Sequence, residues 1–165
     1  MEGSQVTVIV SIVGAVVGLI ALTVAWSQMK IASAKTKLDL YNKRFSVYLA
    51  ALEYYQTIYS ESKDVLKEKS VKLTHAYRES RFLFEERDRI HETLGRVRNG
   101  GSAIRAHEEF RKNPNPDPKQ NSDMAWQLFE KSQTAYLNME QDILILEGQL
   151  KDYLSFHNVR GWTFF

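Results

Sequence analysis

The stretch "LDLYNKRFSVYLAALEYYQTIY", Leu38–Tyr59, carries six aromatic side chains in 22 residues, and its spacing decides the fold. Steps of 3, 4, 3, 4, 3 and 4 from Leu38 land on Tyr41, Phe45, Tyr48, Leu52, Tyr55 and Tyr59, all of them apolar or aromatic. A second row, Leu40, Val47, Ala51, Tyr54 and Ile58, widens this stripe, and the intervening positions Asp39, Asn42, Lys43, Ser46, Glu53, Gln56 and Thr57 are polar. One broad apolar face opposite one clean wet face is an amphipathic helix. The aromatic run is therefore read as core packing against other helices.

Upstream, Val6 to Trp26 reads "VTVIVSIVGAVVGLIALTVAW", 21 residues without a charge. As a helix it would span roughly 30 Å, the thickness of a hydrocarbon core. The preceding "MEGSQ" has no basic residue, and the apolar run is longer than a signal-peptide core, so a retained transmembrane helix is expected. Beyond it, Lys30, Lys35, Lys37, Lys43 and Arg44 face only Asp39, which places the C-terminal side in the cytoplasm and the N-terminus outside the inner membrane. Trp26 sits at the boundary as an interfacial aromatic, and Lys30, Lys35 and Lys37 are read as topology and membrane-surface residues. Within the span, Gly14 and Gly18 form G-x-x-x-G, and Ala21 and Ala25 extend the row, a pattern that lets two helices approach closely in lipid. A second copy of the chain is thus one candidate partner.

No Gly or Pro separates Trp26 from Ser60, so the span is expected to continue into the amphipathic helix. "SESKD" (60–64) predicts a turn. A second apolar row follows at Leu73, Ala76, Ser80, Leu83, Arg87, Ile90, Leu94 and Val97. Arg87 falls on its apolar side, so either it meets a carboxylate or the helix breaks near "FEERD". "NGG" (Asn99–Gly101) predicts a helix stop, with Ser102–Lys112 as a short helix beyond it. "NPNPDP", inside a predicted turn at 113–121, breaks the chain again. Ser122 is the expected N-cap of a last helix whose coiled-coil-like row includes Phe129, Tyr136, Met139, Ile143, Leu146, Leu150 and Tyr153.

No period-two alternation occurs, so no sheet is expected. The fold class is all-α: residues 1–5 a short extracytoplasmic N-terminus, 6–26 the transmembrane helix, 27–156 an antiparallel bundle of three to four long helices, and 157–165 an aromatic tail. With three long helices the last would run away from the membrane. The tail, with Trp162, Phe164 and Phe165, would then lie at the far end as a candidate docking element for a protein partner.

The segments "KLDLYNKRFSVY", "YRESRFLF" and "LKDYLSF" resemble, in the same order, a group of uncharacterised bacterial membrane proteins with one N-terminal span, a "KLxLDLFxKRFxVY" segment and an "EARFLF" segment. The resemblance implies a single-span protein with a helical cytoplasmic domain and carries over no activity.

The chemistry-bearing residues are sparse. With no cysteine there is no disulfide framework and no thiolate metal site or nucleophile. The phosphate-cradling and zinc-helix patterns are absent. Asp88-x-x-His91 has a spacing that could share a metal, but a di-iron bundle needs a second such pair. A net charge of +2, with acidic residues interleaved among the arginines, gives no nucleic-acid signal. The expected function is therefore that of a non-enzymatic, membrane-anchored interaction protein without a cofactor. Its expected partners are the lipid bilayer and an unidentified protein, with no nucleic acid. The alternatives are an effector that oligomerises through its span and a metal-dependent bundle enzyme using Asp88 and His91.

Overall fold

A computed structural model of the chain describes residues 2–59, 63–114 and 118–155. Its regular elements are α1 (Glu2–Ile58), α2 (Lys63–Leu83), α3 (Ile90–Lys112) and α4 (Pro118–Leu150), with one 3-10 turn at Glu86–Asp88, and no strand occurs among the described residues. Two compact units divide the chain, one built on Met1–Asp39 and one on Leu40–Ser155. α1 is continuous through the position of that division, as expected from the lack of any Gly or Pro after the span.

In the first unit α1 is long and apolar enough to cross a membrane. Its most apolar 18-residue stretch has a mean hydropathy of 2.7, and none of that stretch is buried. A core helix of a soluble domain would bury such side chains; here Val10, Leu19 and Leu22 stand exposed on different sides of the helix.

The second unit has one apolar core. α1 contributes Val47, Ala50, Ala51, Tyr54 and Ile58; α2 contributes Leu73 and Ala76; α3 contributes Ile90, Leu94, Val97 and Ile104; and α4 contributes Met139, Ile143, Leu146 and Leu150. The two rows of the α1 face are buried to different depths. Phe45 is exposed and Tyr41, Tyr48, Leu52 and Tyr55 are half-buried, while the row through Val47, Ala51 and Tyr54 is buried.

Residue pairs across the unit give the helix directions. Glu53 meets Lys69 at 3.0 Å and Lys72 at 2.9 Å, whereas Arg44 meets the Leu83 carbonyl at 3.1 Å, so α2 runs opposite to α1. Hydrogen bonds from Lys72 and Lys69 hold the Glu53 carboxyl below its usual value. Arg96 donates to Asp142 at 2.7 Å, and His107 packs on Phe129 with ring centroids 5.7 Å apart, so α4 runs opposite to α3. Tyr48 donates to Glu147 at 2.8 Å, and Tyr59 packs on Tyr136, so α4 also runs opposite to α1.

Three expectations change and one open alternative closes. The helix stop predicted at Asn99–Gly101 does not occur, because α3 passes through it. Of the two alternatives at Arg87, the helix break near "FEERD" occurs: the second apolar row is divided between Leu83 and Ile90, which gives four helices. α4 begins at Pro118 rather than after Ser122, since proline suits a first helical position where no N–H is needed. With the extra reversal, α4 ends beside Arg44, at the end of the unit where α1 enters it, and not at the opposite end. The aromatic tail lies outside the described residues.

Close packing explains the glycines of "NGG". A Cβ on Gly101 would fall on the ring and hydroxyl of Tyr54, and a Cβ on Gly100 would lie 3.0 Å from Met139 Cε. Gly101→Ala would gain about 1 kcal/mol of helix propensity. It would also force apart a fully packed contact, at a typical cost of ~1–3 kcal/mol. Gly101→Ala is therefore expected to lower the urea midpoint of the full chain in detergent, followed by circular dichroism, and adding Tyr54→Leu is expected to recover part of the loss. Gly100→Ala, which meets only the end of a flexible methionine, is expected to stay near the wild-type value. An unchanged midpoint for Gly101→Ala would contradict the seating of Tyr54.

Candidate functional site

The break between α2 and α3 produces the densest polar cluster in the second unit. α2 ends at Leu83, Glu86–Asp88 makes a single 3-10 turn, and Arg89 adopts φ 57°, ψ 17°, a left-handed conformation that costs a non-glycine residue roughly 1–2 kcal/mol. Arg89 is the only non-glycine residue with positive φ among those described. The conformation persists because both ends of the residue are held. Its N–H donates to the Glu86 carbonyl, its own carbonyl accepts from the Thr93 N–H at 3.0 Å, and its side chain pairs with Glu92 at 2.7 Å.

Arg44 ties this turn to α1. Its Nε donates to the carbonyl of Leu83, at the C-terminal end of α2 where an unpaired carbonyl and the helix dipole favour a cation. Its guanidinium lies over the Tyr153 ring at 4.5 Å and near Phe84 at 5.9 Å, and Phe84 and Tyr153 meet edge to face. The Tyr153 hydroxyl donates to Asp88 and accepts from the Glu85 N–H at 3.3 Å. One arginine and one tyrosine thus connect α1, the turn and the end of α4. Arg44, counted among the basic residues of the flank, packs its side chain here.

A second group lines the adjacent cleft of about 710 Å³. His91 stacks on Tyr77 at 4.1 Å, and Arg98 covers the same tyrosine at 4.2 Å. Arg81 Nε donates to His91 Nε2 at 2.9 Å, which leaves the proton on Nδ1, facing the Tyr77 carbonyl and Ser80 Oγ. Ser80 gives its own proton to the Tyr77 carbonyl at 2.7 Å and is buried. A serine nucleophile needs an unprotonated ring nitrogen facing an accessible hydroxyl; here the nitrogen that faces Ser80 carries the proton, the hydroxyl is buried, and the pair links α2 to α3.

Asp88 and His91 do not converge. Asp88 is engaged by Tyr153, with Arg87 at 3.9 Å, and His91 by Arg81, Tyr77 and Ser80. No group of three or more His, Asp or Glu positioned for a metal occurs among the described residues. Arg87, suspect on its apolar row, is resolved both ways: the helix breaks, and the side chain pairs with Glu85 at 2.8 Å.

Gly14, Gly18, Ala21 and Ala25 lie on α1 with exposed surfaces, and a Cβ on either glycine would meet nothing within 4 Å. Trp26, Lys30 and Lys35 are exposed, and Lys37 is half-buried. Trp162, Phe164 and Phe165 lie outside the described residues. Sequence reading missed Arg44, Phe84 and Tyr153 as a group. The available signal was that each lies in one of the three segments "KLDLYNKRFSVY", "YRESRFLF" and "LKDYLSF", which meet at this cluster. No protein-family model, curated protein or solved structure matches the chain.

Burial pushes the Tyr153 phenol above its ordinary value of 10.0, and the hydrogen bond to Asp88 adds to the shift. Burial does the same to Tyr48, Tyr54 and Tyr136, and takes Tyr59 up to about 12. A phenol raised in this way stabilises the fold fully below pH 10, and that contribution is lost as pH rises through the folded value. Stability is therefore expected to fall above pH 10. Tyr153→Phe, which removes the hydroxyl that Asp88 and the Glu85 N–H share, is expected to cost about 1 kcal/mol at neutral pH and to make the alkaline fall shallower. Urea midpoints of the full chain at pH 7, 10 and 11 check both; equal alkaline slopes for the variant and wild type would contradict this role for Tyr153.

Proposed function

We propose that this chain is a single-span membrane protein whose Leu40–Ser155 unit is an antiparallel four-helix bundle in the cytoplasm that acts as a non-enzymatic interaction module. The observation that carries the reading is the uncovered apolar surface of α1. A span of 21 uncharged residues, exposed on every side, is stable only in an apolar medium, since each Å² of such surface left in water costs roughly 25 cal/mol. The orientation rests on the basic flank at Lys30, Lys35 and Lys37 and on the unflanked N-terminus.

The reading of the bundle as a module rather than an enzyme rests on what its polar clusters do. Arg44, Tyr153, Asp88, Ser80 and His91 use their hydrogen-bonding groups on one another and on helix ends, an arrangement that fixes geometry. The resemblance to uncharacterised bacterial single-span proteins with a helical cytoplasmic domain agrees with this reading. Self-association through Gly14, Gly18, Ala21 and Ala25 is the second reading, favoured by the open face around both glycines.

A reporter active only outside the cytoplasm, fused after Phe165, is expected to be silent, and the same reporter fused before Met1 is expected to be active. Activity of the C-terminal fusion would overturn the orientation. For the span, chemical crosslinking in intact membranes is expected to trap dimers of wild type and fewer of Gly14→Ile/Gly18→Ile; equally monomeric proteins would remove the second reading.

A further inference from the structure

Two groups of charges in the second unit find no ion-pair partner within the chain, and they lie on opposite sides of the core. On α4, Glu140, Glu147 and Lys151 follow at steps of 7 and 4, all exposed. No ion pair reaches any of them among the described residues. Glu147 accepts the Tyr48 hydroxyl, which puts this row on the border of α4 with α1. The other group is Arg81, Arg98 and Glu86, on the border of α2 with α3. Arg81 donates to His91 and Arg98 covers Tyr77, so each guanidinium is held across the two helices without a carboxylate. Glu86, exposed in the turn that joins them, has no ion pair among the described residues.

The Arg96–Asp142 bond fixes the heights of the two groups. α3 and α4 run in opposite directions, so Glu140, two residues before Asp142, lies level with Arg98, two after Arg96. Glu147, five after Asp142, lies level with His91, which holds Arg81. Lys151, nine after Asp142, lies level with Arg87, in the turn that carries Glu86. Along the unit one side reads negative, negative, positive and the other reads positive, positive, negative. Two copies side by side, pointing the same way and at one height, would therefore meet with all three charges matched. Copies that met through the same side would set glutamate against glutamate or arginine against arginine. A span gives every copy the same direction and depth.

We infer that the α1/α4 side of one copy docks on the α2/α3 side of a second copy, as a head-to-tail lateral contact between membrane-anchored chains. Glu147 and Lys151 line an open groove of about 590 Å³, which leaves room for a long arginine side chain to reach them. Exposed ion pairs are individually weak and screened by salt, so their matched order sets register more than affinity. Confinement to the membrane plane raises the effective concentration that such a contact needs. Because the two surfaces lie on opposite sides, the contact need not close and extends as a row of copies. The inference rests on the single-span reading, which supplies the common direction.

The test uses the full chain with a donor or an acceptor fluorescent protein fused after Phe165, reconstituted in phosphatidylcholine vesicles. All proteins carry Gly14→Ile/Gly18→Ile, so that the span adds no association of its own. Energy transfer above the random-collision level at the same surface density is expected. Glu140→Lys/Glu147→Lys and Arg81→Glu/Arg98→Glu are each expected, alone, to weaken association about tenfold or more. A mixture of the two variants is expected to recover transfer, because the unaltered side of each fits the unaltered side of the other. That recovery also shows that both variants fold. Transfer at the random level without the charge changes, or no recovery in the mixture, would overturn the assignment. So would loss in only one of the two variants, because the contact would then join like sides. The topology reporter reads the membrane orientation independently of the vesicles, so either proposal can fail alone.

Discussion

The helical unit depends on the seating of the Tyr54 side chain of α1 against Gly101 of α3. The Tyr54 ring lies where any side chain on residue 101 would stand, and its hydroxyl reaches Ser70 on α2. One buried aromatic therefore touches three helices. One turn of α3 carries both contacts, since Gly100 receives Met139 of α4 beside the site where Gly101 receives Tyr54. Two glycines in a helix interior are unfavourable in isolation, at about 1 kcal/mol each. They persist because they let two large side chains fill the centre without voids, and packing loss in a core costs more than propensity.

A second constraint acts at the end of the unit where α1 enters. The left-handed Arg89 and the short turn before it reverse the chain between α2 and α3, and nothing in that turn is buried. It is held from outside by Arg44 and Tyr153, which come from helices remote in sequence. The turn and the two helices that hold it are mutually dependent. The cation on α1 satisfies the last carbonyl of α2, and the phenol near the end of α4 accepts from the Glu85 N–H and donates to the Asp88 carboxylate.

Much of this was legible from residue spacing and some was not. The all-helical class and the continuity of α1 followed from apolar periodicity and the absence of breakers, and most core positions on α2, α3 and α4 followed from their 3-4 rows. The apolar face of α1 was legible as one broad stripe, but periodicity does not rank its rows; only the neighbours decide that the row through Val47, Ala51 and Tyr54 is deepest and that Phe45 stays exposed. "NGG" was read as a stop because the chemistry that ends a helix and the chemistry that lets helices touch use the same residue. The Arg44–Tyr153 link was out of reach because its members lie more than a hundred positions apart. Arg87 was the visible clue, a charge on an apolar row that marked the break itself.

The direction of α4 carries the account, since the Tyr48–Glu147 bond, the Tyr59–Tyr136 contact and the Arg44–Tyr153 cluster all require it to run opposite to α1. The chain has no cysteine, so two spin labels can be placed at chosen sites without removing any. Labels at Asn42 and Lys151, both exposed, probe the two helix ends directly by electron–electron distance measurement. The account predicts a single short distance, about 20–30 Å, from neighbouring helix axes plus the label arms. A distance of about 50 Å, the length of a 33-residue helix, would place the end of α4 at the opposite end of the unit and contradict it.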